Sequence, residues 1–240
     1  MARLYAGTSG FAYPSWKPDF YPAKLPAAKF LEYYSTRVNC VEINYTFRML
    51  PKLSTLTNWV NATPATFVFC PKAHMRLTHI LKLKDAASFT ELFLKAIDPL
   101  RPTGRLGPVL YQLPPTFKAD LPLLATYLDL LPKTQRFAFE FRHASWLNGD
   151  TYALLRQHNV ALCLAESDHF EVPEVITADF VYYRLRKPEY TTEDRARIAA
   201  NAMQLVATHD IYLFFKHEET PAGALYAEEL LAALRPEINR

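Results

Sequence analysis

Phe137-Ala138-Phe139-Glu140-Phe141-Arg142 alternates an aromatic ring with a small or charged residue along its whole length. Successive side chains of a strand point to opposite faces, so the three rings share one face and Ala138, Glu140 and Arg142 share the other. Such a strand suits the wall of a barrel. The rings face packed helices, and Glu140 and Arg142 face the lumen or its upper rim, where a charge persists only when paired or wetted.

Working outward, seven further β-rich runs accompany this one: Arg3–Gly7, Asn39–Asn44, Thr66–Lys72, Gly107–Leu113, Val160–Glu166, Phe180–Leu185 and Ile211–Lys216. Between most of them lie segments with helical spacing, namely Ala28–Arg37, Ala86–Ile97, Leu121–Leu131, Thr151–His158, Thr192–Ala207 and Ala222–Leu234. Strands alternating with helices imply a parallel sheet, and eight such units in 240 residues predict one closed (β/α)8 barrel of the TIM type spanning 1–240. The last third is expected to be its least regular part. An open doubly wound sheet is the competing architecture, but the first strand runs into Gly7-Thr8-Ser9-Gly10-Phe11, which lacks the G-x-G-x-x-G of a dinucleotide site. No Gly/Ser-rich linker divides the chain, and prolines such as Pro14, Pro18, Pro22 and Pro26 fall at element boundaries.

The 27 Lys and Arg against 24 Asp and Glu leave a formal charge of only +3, so no strong global field draws the protein to nucleic acid. Any basic surface must be local. Met1-Ala2-Arg3-Leu4-Tyr5-Ala6-Gly7 enters a strand without the apolar run of a signal peptide, and no long uncharged apolar stretch follows, so the expectation is a soluble cytoplasmic protein with no membrane partner. Cys40, Cys70 and Cys163 are odd in number and widely spaced within apolar runs, which predicts reduced core thiols and neither a disulfide framework nor zinc spacing.

Polar residues gather at the C-terminal end of every strand: Thr8 and Ser9, Glu42 and Asn44, Lys72, Gln112, Glu140 and Arg142, Glu166, Arg184, and Lys216. In barrels of this type the strand ends and the loops after them build the site. Glu42, Glu140 and Glu166 face Lys72, Arg142, Arg184 and Lys216, with His79, His143 and His217 close by in sequence. The rim is therefore slightly basic, and guanidinium and ammonium groups there suit a phosphate or carboxylate. The same residues also permit a plainer reading, in which Glu140–Arg142 and Glu42–Lys72 are ion pairs that neutralise one another.

Several blocks, taken together, resemble a known family. Gly7-Thr8-Ser9-Gly10-Phe11 with Trp16 and Phe20-Tyr21-Pro22, Val41-Glu42-Ile43-Asn44 with Thr46-Phe47, and Phe67-Val68-Phe69 with Pro71-Lys72 and Thr78-His79 are similar to the opening blocks of the YecE-like family, domain of unknown function 72. Leu106-Gly107-Pro108 with Gln112-Leu113-Pro114-Pro115, and Glu140-Phe141-Arg142-His143 with Ser145-Trp146, continue the match in order. The resemblance implies a TIM-type barrel and supplies no reaction. Two departures fall late in the chain: Arg184-Leu185 is followed by Arg186-Lys187 where the family shows Arg-Leu-His-Gly, and Phe214-Phe215 by Lys216-His217-Glu218-Glu219 in place of an Asn-rich end.

Three function classes follow. The leading one is a barrel that binds a phosphate-bearing ligand, a nucleic acid or a sugar phosphate, and as a hydrolase would use Glu140 and Glu42 as acid/base groups. Its ligand contacts would come from Lys72, Gln112, Arg142, His143, Arg184, Lys216, Asn44, His79 and Trp16. The second is a non-enzymatic single-stranded nucleic-acid binder, in which Trp16, Tyr45, Phe47, Trp146 and Tyr190 stack bases. The third is a metal-free glycoside hydrolase built on Glu42 and Glu140. Glu42, Glu140, Glu166, Asp168, His169 and His217 carry no recognised metal-ligand spacing, so neither a metal nor another cofactor is expected.

Overall fold

A computed structural model describes residues 2–166 and 172–238, with side chains through 234. The strands are β1 (Leu4–Ser9), β2 (Cys40–Ile43), β3 (Val68–Pro71), β4 (Val109–Gln112), β5 (Phe137–Glu140), β6 (Ala161–Ala165), β7 (Phe180–Leu185) and β8 (Asp210–Phe215). They form one parallel sheet in the order β3-β2-β1-β8-β7-β6-β5-β4. Its two ends meet through sparse bridges, Phe69 with Leu106 and Lys72 with Leu110, so the sheet closes into a barrel whose seam lies between β3 and β4.

The helices are α1 (Phe30–Arg37), the single turn α2 (Tyr45–Arg48), α3 (Leu53–Asn61), α4 (Ala87–Ile97), α5 (Leu121–Asp129), α6 (Gly149–Gln157), α7 (Thr192–Leu205) and α8 (Ala222–Ile238). Several are started by side chains that accept from otherwise unpaired N–H groups. Asp120 accepts from Leu123, Asn148 accepts from Thr151, and Thr191 and Asp194 form a reciprocal capping box at α7. Six helices lie where periodicity predicts them. Helix α3 was not anticipated, although Leu53, Leu56, Trp59 and Val60 carry helical spacing. Among the described residues no helix joins β6 to β7, and a cavity of about 1280 Å³ opens on the outer side of these strands beside α7, lined in part by Leu164, Tyr183, Ile198 and Asn201. None of the lumen charges lines that cavity.

The parity read from β5 holds in the packing. Phe137, Phe139 and Phe141 join the large outer core, where Phe139 stacks on Tyr111 with centroids 5.0 Å apart. Ala138 belongs to the lumen cluster with Cys40, Cys70, Leu110, Cys163, Tyr182, Tyr212 and Phe214. All three cysteines are free and buried, and burial pushes each thiol well above its ordinary pKa. Among the described residues no helix is long and apolar enough to cross a membrane.

Candidate functional site

The floor of the site is a charge network laid across the top of the lumen. Register places Ser9 beside Glu42 on β1 and β2, and Gln112 beside Glu140 on β4 and β5. From β7, period two turns Phe180, Tyr182 and Arg184 inward together. The Arg184 guanidinium spans the barrel: Nε and Nη2 donate to the two oxygens of Glu42, each at 2.9 Å, and Nη1 donates to Glu140 Oε2. Ser9 Oγ and the Tyr182 hydroxyl also donate to Glu42, at 2.8 and 2.9 Å. Gln112 Nε2 donates to both oxygens of Glu140 at 2.9 Å, and its Oε1 accepts from Lys72 Nζ at 2.8 Å.

Glu42, Glu140 and Arg184 are almost wholly buried, and buried charges of this kind survive because each finds opposite charge and several hydrogen bonds. Burial works against ionisation of Glu140, yet Arg184, the Gln112 amide and Arg142 together outweigh it and hold its pKa below the usual carboxylate value. Burial likewise opposes the Arg184 charge, and Glu140 and Glu42 overcome it, raising its pKa further. Glu140 is thereby held as an anion. The predicted pairing of Glu42 with Lys72 does not form, because Arg184 occupies both oxygens of Glu42; the Glu140–Arg142 contact does form, at 3.5 Å.

Above this floor stand the remaining cations. Lys72 is 8% exposed, with Nζ 4.2 Å from the centroid of Phe47. Its pKa falls to about 8, first through burial and then through the charge of Arg184, against the opposing pull of Glu42 and Glu140. Arg142 and Lys216 are half-buried, and burial and then Arg184 lower the pKa of Lys216. His79 sits edge-on to Phe47 at 5.1 Å, and its pKa is lowered by burial and by Lys72 and Arg142.

Not every sequence candidate reaches the mouth. Trp16 is completely buried among Tyr13, Phe20 and Tyr21, so its ring has no free face for a ligand. Trp146 and Tyr190 are buried too, which leaves Tyr45 and Phe47 as the accessible members of the proposed stacking set. His143 caps the turn that follows it, its Nδ1 accepting from the Ser145 N–H at 3.1 Å. Asn44 is half-buried just before α2. Glu166 follows Ala165 and so points away from the lumen by parity; it accepts from the Lys187 N–H at 2.9 Å and from the Tyr190 hydroxyl. His217 packs on Tyr190 and Tyr226. Asp168 and His169 lie outside the described residues. Among the described residues no three His, Cys, Asp or Glu side chains converge in a way that could hold a metal ion.

Sequence reading passed over Tyr182, although its position two residues before Arg184 signalled an inward ring. Sequence places Phe47 in the stacking set or in loop packing; its ring also covers Lys72.

A parallel eight-stranded barrel with a buried Glu–Arg–Glu bridge and a cationic mouth defines the class of protein. The family model described as "Protein of unknown function DUF72" matches residues 5–240, and the chain belongs to that family. It is 33% identical over 141 residues to the UPF0759 protein YecE of Escherichia coli, a match covering 58% of this chain and 48% of that protein. With the UPF0759 protein YunF of Bacillus subtilis it shares 27% identity over 156 residues, covering 62% and 54%. These matches span only about half the length of either relative. Among solved structures, a DUF72 family protein from Thermotoga maritima superposes with a TM-score of 0.85 at 28% identity, over 97% of this chain and 99% of that one.

Proposed function

We propose that the mouth of the barrel binds a small anionic ligand through a phosphate or carboxylate group, with Arg142 and Lys216 as its grip and Lys72 beneath them. The observation that carries this reading is the Glu42–Arg184–Glu140 bridge. Arg184, Arg142, Lys72 and Lys216 stand against only two buried carboxylates; Arg184 engages both and Arg142 also pairs with Glu140, so among the described residues Lys72 and Lys216 have no carboxylate within ion-pair distance and the mouth keeps a cationic excess. Three cations brought together by burial repel one another, and an anion placed among them relieves that repulsion.

The state of Glu140 disfavours it as the general acid of a hydrolase. A general acid must hold a proton near neutrality, and Glu140 is kept ionised by Arg184, Gln112 and Arg142. This counts equally against Glu140 as the acid of a glycoside hydrolase. A single-stranded nucleic-acid groove draws less support, since Trp16, Trp146 and Tyr190 are buried.

The test is calorimetric titration with pyrophosphate at two salt concentrations. Wild type is expected to bind, more weakly at high salt, and Arg142→Ala and Lys216→Ala are each expected to weaken binding by about tenfold or more, the usual scale for a lost charge-assisted hydrogen bond. If both variants bind pyrophosphate as wild type does, the mouth is not an anion site.

A further inference from the structure

Lys72 is more deeply placed than an anion anchor needs to be. Its Nζ lies against the Phe47 ring and donates to Gln112 Oε1, and Gln112 in turn is held by Glu140. Among the described residues no carboxylate lies within ion-pair distance of it, although Glu42 and Glu140 stand close enough to act on its charge. Every charged group around it is placed by another strand or loop: Glu42 from β2, Glu140 from β5, Arg184 from β7, Lys216 from the end of β8, and His79 and Arg142 at the rim. Glu42 and Glu140, with Phe47 and the Gln112 carbonyl, favour the ammonium, while burial first and then Arg184 and Lys216 favour the free amine.

From this cluster we infer that Lys72 is a nucleophile that forms an imine with an aldehyde or ketone carrying a phosphate or carboxylate. The inference rests on the anion-binding reading of the mouth, which would hold the charged end of the substrate over Arg142 and Lys216 and leave its carbonyl facing down toward Nζ. The amine lone pair forms the C–N bond as the carbonyl π pair moves to oxygen. A proton passes from nitrogen to that oxygen, and a second proton from solvent at the mouth lets it leave as water. A protonated C=N bond to Lys72 remains, and hydrolysis reverses it. No oxidant, reductant or metal enters the balance. The ionised Glu140, two hydrogen bonds away through Gln112, faces the positive charge of the iminium.

The protonation state agrees with this role. With a pKa of about 8, about one Lys72 in ten is a free amine at pH 7, against fewer than about one in a thousand for an ordinary exposed lysine. A buried lysine amine that sheds its proton this readily can act as a nucleophile near neutral pH, which a permanently charged arginine cannot.

The experiment is borohydride trapping on the whole protein, run separately with dihydroxyacetone phosphate and with pyruvate, read by intact mass and peptide mapping. The expected result is one covalent adduct, at Lys72, at least about tenfold more abundant than at any other lysine. It should be absent in Lys72→Arg, which keeps the charge but cannot form the imine, and be suppressed by excess pyrophosphate. Lys72→Met serves as the second variant should arginine disturb the fold. The phosphate and carboxylate arms distinguish which charged end the mouth accepts. Adducts spread over surface lysines, equal in wild type and both variants, overturn the inference; if pyrophosphate still binds, the anion site stands without the imine. If an adduct forms at Lys72 while pyrophosphate neither binds nor suppresses it, the anion-binding reading falls and the charged-substrate part of the inference falls with it.

Discussion

Arg184 and Glu42, 142 positions apart in sequence, are clasped across the barrel by two N–H···O bonds of 2.9 Å, and the same guanidinium reaches Glu140 on its other side. One side chain thus ties β7 to both β2 and β5. Replacing it strands two buried carboxylates. Arg184→Met is expected to cost about 3–5 kcal/mol in urea denaturation, and replacing all three members with apolar residues of similar size should recover most of that loss. Recovery would show that the bridge contributes little to net stability.

The ionisation of Glu140 gives the fold an acid limit. Its folded pKa lies below the ordinary 4.5, so the unfolded chain takes up a proton first as pH falls. The corresponding stability is complete above that ordinary value and disappears as pH drops through the folded one. Measured between about pH 3 and pH 6, the stability of wild type should fall steeply, and Glu140→Gln should show a shallower acid limb with a lower plateau near neutrality.

Lys72 predicts the opposite trade. Its folded pKa of about 8 lies below the ordinary 10.5, so between these values the unfolded chain holds more protons and stability rises with pH. The cost of burying the ammonium is therefore present below about pH 8. Lys72→Met is expected to be more stable than wild type at pH 7 by about 1 kcal/mol or more, while losing affinity for pyrophosphate. A lysine-specific NMR titration should show one amine with a midpoint near 8 in wild type, missing from the variant.

How much of this was legible beforehand depends on the range of the interaction. The period of two in Phe137–Arg142 is local, and it was enough to send Glu140 inward and the rings outward. Which lumen charges meet is not local. Strand order and stagger brought Glu42 to Arg184 from the far side of the barrel, where neighbouring strands had suggested Lys72. Trp16 shows a different limit: a loop tryptophan can serve a ligand or the loop itself, and only the fold of 14–21 against α1 decided for burial.

The last prediction concerns the joint that sets this alignment. Gly7 on β1 lies against β2 so closely that a Cβ there would stand 2.0 Å from the Cys40 carbonyl oxygen and 2.9 Å from the Tyr34 hydroxyl. Neither neighbour can yield cheaply. The carbonyl is backbone, and the Tyr34 hydroxyl accepts from the Thr8 N–H at 2.8 Å while also contacting Cys40 O at 3.1 Å. A methyl group must push β1 and β2 apart, and Ser9, paired with Glu42 two residues on, moves with it. Gly7→Ala is therefore expected to cost about 3 kcal/mol, the upper end for overpacking, and to weaken pyrophosphate binding in the fraction that stays folded. Gly149 is the control: nothing lies within 4 Å of its built Cβ at the start of α6, so Gly149→Ala should be neutral or stabilising by up to about 1 kcal/mol. Equal melting behaviour of the two variants would mean that the β1–β2 contact is looser than its geometry requires.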